Sequence, residues 1–361
     1  MGCCETRWVE GSEVPPSTGP GSAGAERAVD RRTVLKSAAA LAGMGAFAAG
    51  GLGNAAAAEK HVTLAFCGQL LCVIPYEVTR AAGFFKAEGI DIELVYSRGG
   101  TAAMQALLGG AVDYAGTAFD VALQAFARGA EIRRFASTGR LPLFALATSP
   151  QLAGAITEVG GLAGRTVGVS GLGNADHALV LYLLRRAGKD ASKVEFATLG
   201  PNLSEALRLG QIDAGMVQEP ALSRVAAAGS RVLVNFMDSA DAAKHLGGAY
   251  EFMGVSVRAG ERDARKAEMA ALSRALQKGL ERVQAAPIAE IVAALPRELV
   301  LGADMEELRA VIDRYRASLY PTRVQIDAAS CERVAESLKI GGLIGADVKA
   351  DGVLDLSIAG S

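Results

Sequence analysis

The chain has 361 residues, half of them hydrophobic, with 37 Lys and Arg against 39 Asp and Glu and a formal net charge of −2. That balance persists once residues 1–58 are set aside, so the chain carries no basic footprint for nucleic acid and no polybasic membrane patch. With 3 His and 5 Cys in all, no set of side chains has the spacing that a bound metal requires.

Residues 1–29 are rich in Gly, Pro, Ser and Glu and read as a disordered extension. Met1-Gly2-Cys3-Cys4-Glu5-Thr6 loosely fits a myristoylation pattern, but that chemistry is eukaryotic. Residues 30–58 read as a bacterial address. Asp30-Arg31-Arg32-Thr33-Val34-Leu35-Lys36 carries a twin arginine, a mildly apolar Ala/Gly run follows to Gly53, and Ala56-Ala57-Ala58 supplies small residues for cleavage. The expectation is export by the twin-arginine machinery, removal of the signal near Ala58, and a periplasmic chain starting at Glu59. The rival reading, a membrane anchor, suits the run poorly because it is short and rich in Gly and Ala.

From His61 onward strands and helices alternate. Period-2 and β-branched content predicts strands at His61–Cys67, Asp91–Tyr96, Tyr114–Gly116, Ile132–Ser137 and Leu143–Thr148. Between them, 3.6-residue spacing predicts helices at Pro75–Ala82, Phe84–Glu88, Thr101–Leu108 and Asp120–Arg128, with Asp120 as an N-cap. Past a Pro150 to Gly154 connection, strands are expected at Thr166–Ser170, Val194–Ala197, Ala214–Val217, Arg231–Asn235 and Tyr250–Arg258. Their helices are Ala175–Ala187, Leu203–Leu209 and Pro220–Ala228, the last with Pro at its first position. The remainder, Glu261–Gln284, Ile288–Ala294, Met305–Leu319 and Asp327–Ile340, is helical.

The order predicts an α/β fold of two lobes, each a mostly parallel sheet flanked by helices. Lobe 1 is expected to comprise 59–150 plus 256–361 and lobe 2 151–255, with a hinge of two crossing segments near Pro150 and Tyr250 and the C-terminal helices packed on lobe 1. An internal repeat supports two similar lobes. Ala106, Leu107, Gly110, Val112 and Asp113 fall opposite Ala206, Leu207, Gly210, Ile212 and Asp213, one hundred positions on. Each copy reads as a Gly-rich loop, a short helix, a Gly and a strand beginning at an Asp. Cys67, Cys72 and Cys331, odd in number, argue against a disulfide framework, and a Cys67–Cys72 bridge is left open.

Ala82-Gly83-Phe84-Phe85-Lys86-Ala87-Glu88-Gly89-Ile90-Asp91-Ile92-Glu93-Leu94-Val95, the Gly99-Gly100 loop, and Leu162-Ala163-Gly164-Arg165-Thr166-Val167-Gly168-Val169-Ser170 resemble solute-binding proteins of ABC importers for nitrate, sulfonates, taurine and pyrimidine precursors. The resemblance runs from about His61 to Leu319. It implies the type II periplasmic-binding-protein fold, no enzymatic activity, a small-molecule solute, and a permease and its ATPase as partners, without cofactor, metal or nucleic acid.

The residues themselves support a cleft at the strand ends. Gly99-Gly100-Thr101 opens one helix and Ser170-Gly171-Leu172-Gly173-Asn174 another, so two helix N-termini could face an oxyanion. Asp176 stands where the third Gly of G-x-G-x-x-G would be, which argues against a dinucleotide. Phe66, Cys67 and Gln69 follow the first strand, Thr117, Ala118 and Phe119 the third, and Thr138 the fourth. Phe66 and Phe119 could cover an apolar part of a solute or sit in the core. In the second lobe Asn202, Gln218 and Glu219 lie at strand ends, and His177 sits beside a cleft loop. The family often has an aromatic residue where Gln218 stands, which hints at a polar contact. Glu219 reads equally as a solute acceptor or a first-turn helix charge.

Two other roles remain open with the same fold: a periplasmic sensor-type binding protein, or a thiamine-precursor biosynthetic enzyme. The enzyme is associated with a dense Cys cluster that Cys67 and Cys72 do not reproduce. A LysR-type regulator would need a helix-turn-helix at the N-terminus, where this chain carries its export signal.

Overall fold

The computed structural model describes residues 59–301 and 303–359, so the expected extension 1–29 and export signal 30–58 lie outside the described residues. The chain runs β1 (Lys60–Cys67), α1 (Leu70–Ala81), α2 (Phe84–Ala87), β2 (Ile90–Ser97), α3 (Gly100–Leu108), β3 (Tyr114–Ala118), α4 (Phe119–Ala127) and β4 (Ile132–Ser137). It continues through β5 (Ala145–Thr148), β6 (Thr166–Val169), α5 (Ala175–Arg186), β7 (Glu195–Thr198), α6 (Leu203–Arg208), β8 (Ala214–Val217), α7 (Ala221–Ala227), β9 (Val232–Asn235) and α8 (Ser239–Leu246). Then come β10 (Met253–Arg258), α9 (Lys266–Ala285), α10 (Ile288–Ala293), α11 (Arg297–Val300), α12 (Met305–Leu319) and α13 (Ala328–Ile340).

Two sheets form, in the orders β2-β1-β3-β10-β4 and β7-β6-β8-β5-β9. Each has the same plan: second, first and third strands parallel, then one inverted strand, then the fourth. The inverted strands are β10, antiparallel to β3 and β4, and β5, antiparallel to β8 and β9. The repeat seen in the sequence has a matching bond set. Asp113 Oδ2 accepts from the Thr63 N–H and hydroxyl, both at 2.9 Å, and Asp213 Oδ2 accepts from the Thr166 N–H at 2.9 Å. Gly110 and Gly210 end the preceding helices at φ 75° and 71°, a left-handed turn that favours Gly.

The expected lobe limits at 150 and 255 differ from the pairing. Ala145–Thr148 belongs to the second sheet and Met253–Val255 to the first, so the chain crosses earlier at one strand and ahead of β10 at the other. Pro150 and Gly154 mark only a short turn after β5. The crossings run side by side: Thr138 N–H and Gly139 N–H donate to Met253 O at 2.7 and 2.9 Å, and Phe252 N–H donates to Gly139 O at 2.9 Å.

Local chemistry explains the other departures. Helix α1 starts at Leu70, so Pro75 lies inside it. Proline cannot donate to the carbonyl four residues back; the Tyr320 hydroxyl supplies that bond to Leu71 O at 2.8 Å. The unexpected α8 is capped by Asp238, which accepts from the Ala240 and Asp241 N–H groups. Helix α9 lies against α1 and α2 of the first lobe. The other C-terminal helices are not confined to that lobe: α13 touches both α4 and α5, and Arg224 of α7 pairs with Glu307 of α12 at 2.8 Å. Among the described residues no helix is long and apolar enough to cross a membrane.

Candidate functional site: the interlobe cleft

In both sheets the strand ends run directly into helix starts: β1 into α1, β2 into α3 and β3 into α4 on one side, β6 into α5 on the other. Where these ends meet lies a cavity of about 30 Å³, room for about one water. Its first-lobe wall is Cys67, Gln69, Cys72, Gly99, Gly100, Ala118 and Val121; its second-lobe wall is Ser170, Asn174 and Ala175; Phe144, Phe252 and Met253 close the hinge side. None of these side chains carries a formal charge. A wider hollow of about 300 Å³, between Val78 and Ala294, is a groove among α1, α9 and α10 away from these strand ends.

Asn174 joins the two walls. Its Oδ1 accepts from the Thr101 N–H at 3.2 Å and the Thr101 hydroxyl at 2.7 Å, and its Nδ2 donates to Ser170 Oγ at 3.0 Å. A Cβ on Gly99 or on Gly171 would come within 2.8 Å of that Nδ2, so a side chain at either position would push the Asn174 amide aside. A second interlobe bond, Gln124 Nε2 to Gly173 O at 3.4 Å, lies beside the first. The first turn of α3 thus already receives a neutral oxygen acceptor, on donors that need no full countercharge.

Two buried carboxyls lie next to the cleft. Asp176 accepts from the Ser170 N–H and, at 3.0 Å, the Ser170 hydroxyl; burial pushes its pKa up to about 6 against those bonds. Asp120 is pushed up to about 7, by burial first, with the nearby Asp176 adding to it. Asp120 is not the N-cap that the sequence suggested. Helix α4 begins one residue earlier with Ala118 at its cap, and Asp120 Oδ2 has no hydrogen-bond partner.

Of the residues named from sequence, Cys67, Gln69, Gly99, Gly100, Ala118, Ser170 and Asn174 line the cavity, and Thr101 and Gly171 touch Asn174. Apart from Gly173, whose carbonyl takes the second interlobe bond, the others lie elsewhere. Phe66 is fully buried and stacks on Tyr76 at 4.7 Å, because its side chain points into the sheet's core rather than off the strand end. Phe119 lies under Arg134, whose Nη2 donates to Thr117 O at 2.7 Å, and Thr138 Oγ1 bonds the Tyr76 hydroxyl at 3.1 Å. His177 stands edge-on to Phe196 and takes a bond from Gly173 N–H; burial lowers its pKa, which keeps the ring neutral. Asn202 is exposed at the start of α6, and Gln218 Nε2 is buried without a partner. Glu219 accepts from the Ser223 N–H at 2.9 Å and hydroxyl at 3.0 Å in α7. Pro220 is the cap of that helix rather than its first residue.

Phe144 escaped the sequence reading because the first crossing was placed too late, at Pro150; the second was placed at Tyr250, which does pair with Arg140, but Phe252 and Met253 beside it were not taken as cleft residues. Cys72 and Val121 escaped it because they lie in the first turns of α1 and α4, past the strand ends. Twofold pairing of the crossing strands was the missing signal.

A family model described as NMT1/THI5 like matches residues 72–290. The chain belongs to that family. No curated protein matches it. Among solved structures, a protein of Bordetella bronchiseptica RB50 is 26% identical, with a TM-score of 0.74 over 83% of this chain and 96% of that one. The alkanesulfonate-binding protein SsuA of Xanthomonas axonopodis pv. citri, bound to MOPS, is 21% identical with a TM-score of 0.61 over 83% of this chain and 99% of that one. The periplasmic nitrate-binding protein NrtA of Synechocystis PCC 6803 is 14% identical with a TM-score of 0.64, over 82% and 86%. The family's fold here is the two-lobed one of periplasmic binding proteins, as the strand orders require.

Proposed function

We propose that the chain is the solute-binding component of an ABC importer, which captures a small organic anion or a pyrimidine-type solute between its lobes and delivers it to a membrane permease and its ATPase. The observation that carries this reading is the Asn174 contact. A carbonyl oxygen from the second lobe rests on the Thr101 N–H and hydroxyl at the start of α3, so a sulfonate, carboxylate or ring carbonyl can take the same donors as the lobes meet. The similarity to sulfonate- and nitrate-binding proteins points the same way. With so little space in the closed cleft, the solute enters by parting the lobes about the paired crossings.

A thermal-shift panel of sulfonates, carboxylates, nitrate and pyrimidines tests this. The matching solute at about one hundred times its dissociation constant adds roughly 2.7 kcal/mol of stability. Thr101→Val, which removes one donor at little cost in shape, weakens that response by roughly fivefold to tenfold in Kd. Stabilisation by neutral sugars or cations alone would remove the basis of the proposal.

The site of action in this reading is the periplasm, reached by the twin-arginine route through Arg31-Arg32. Replacing both with Lys keeps the charge but loses the guanidinium pair, so the precursor accumulates in the cytoplasm with its solute affinity intact. Periplasmic delivery of the double Lys variant at the normal level would exclude that route.

A further inference from the structure

Two thiols stand in the wall of the cleft. Cys67 ends β1 and Cys72 lies in the first turn of α1, where its N–H donates to Gln69 O at 2.9 Å, so the turn between them folds back on itself. Both line the interlobe cavity of about 30 Å³, both are buried, and both are free. The third described cysteine, Cys331, is buried in α13, away from them.

We propose that Cys67 and Cys72 are a modification site, a dithiol that closes to a disulfide by exchange with a small disulfide when the lobes part. Both residues are buried and line the interlobe cavity, so opening admits the oxidant and the Asn174–Thr101 contact shuts it out. The gating rests on the lobe motion proposed above; the dithiol chemistry does not. A disulfide needs the sulfurs about 2.05 Å apart, and the two thiols that must meet front the same cavity of about 30 Å³.

The exchange balances in two steps. Cys67 gives up its proton and attacks one sulfur of the small disulfide, whose other half leaves as a thiolate and takes up a proton. Cys72 then loses its proton and attacks the Cys67 sulfur of the mixed disulfide, and the second small thiol departs. Two protein thiols are oxidised and one small disulfide is reduced to two thiols. Cys67 is the attacking group because the neighbouring Cys72 thiol pulls its pKa down, while Cys67 and burial push that of Cys72 up. Closure ties the end of β1 to α1 and resets Gln69, which lies between them in the cavity wall.

The test treats the full chain with oxidised glutathione, then denatures, alkylates and digests it with trypsin. Cleavage after Lys60 and Arg80 puts both cysteines on one peptide, His61 to Arg80. The expected product is that peptide two hydrogens lighter and unlabelled, with Cys331 alkylated; Cys72→Ser instead holds a glutathione adduct on Cys67. A doubly alkylated peptide, or a wild-type chain that stops at the adduct, would overturn the dithiol. Asn174→Ala and Thr101→Val each remove an interlobe hydrogen bond and should speed oxidation by roughly fivefold; rates equal to wild type in both would overturn the gating.

Discussion

Asp120→Asn raises stability at pH 8 and leaves it nearly unchanged at pH 5. Asp120 is fully buried, and its folded pKa of about 7 stands well above the ordinary 3.8. A carboxyl raised in this way binds more protons in the folded than in the unfolded chain between those two values. Its contribution is therefore complete below about pH 4 and is lost as pH rises through about 7. Asp176 at about 6 and Glu251 at about 8 act with the same sign, so the wild-type protein loses stability steadily from pH 5 to pH 8. Asp120 alone accounts for at most about 3 kcal/mol of that loss, roughly 1.4 kcal/mol for each of the two pH units between 5 and 7. Asparagine keeps the acceptor that Val121 N–H uses at 2.9 Å and cannot ionise. Its new amide donor replaces an oxygen that already lacks a partner, which costs on the order of 1–2 kcal/mol at every pH. Urea unfolding of both chains at pH 5 and pH 8 checks the result, and identical pH slopes would refute it.

The sequence made the repeated half of the architecture legible because the repeat is built from local chemistry. A short helix, a left-handed Gly and an Asp returning to the first strand recur at Asp113 and Asp213, and the Asp bonds to Thr63 and Thr166 are the structural form of that pattern. What it hid is set by long-range pairing. Nothing within Leu143–Thr148 says whether the strand joins the first sheet or the second; the answer lies in its bonds to β8 and β9, some seventy to ninety residues on. The cleft was legible in the same uneven way. Glycines at Gly99 and Gly171 signalled close approach, and the structure shows that Asn174 is what approaches. Phe66 and Phe119 were attractive because they stand near strand ends, yet the core takes both, while the aromatic side chains that reach the cavity, Phe144 and Phe252, come from the crossings and meet edge to face at 6.1 Å. Pro75 illustrates a local rule overridden at a distance, since the hydroxyl that replaces its missing donor belongs to Tyr320.

Gly254→Ala is expected to destabilise this protein strongly. Gly254 lies in β10 between β3 and β4, opposite Thr117 and Ser137, just before the register shift at Val255 and Ser256. A Cβ there would fall far inside van der Waals contact with the Ala136 carbonyl oxygen and with Arg134 Nη1. Neither can yield cheaply. The carbonyl belongs to the β4 backbone, and the guanidinium is wholly buried, held by Thr117 O at 2.7 Å and Ser256 Oγ at 3.2 Å. Overpacking of this kind costs about 3 kcal/mol or more, whereas Gly260→Ala, which meets nothing within 4 Å, stays within about 0.5 kcal/mol. The effect reaches the cleft because Phe252 and Met253, the two residues before Gly254, line the cavity and carry the crossing bonds to Thr138 and Gly139. A Gly254→Ala chain that still folds must move β10 away from β4 and take those residues with it, so it loses the solute-induced rise in melting temperature along with its stability. A variant as stable as the Gly260→Ala control would show that β10 can shift at no cost, and the paired crossings would then be too soft to serve as the hinge.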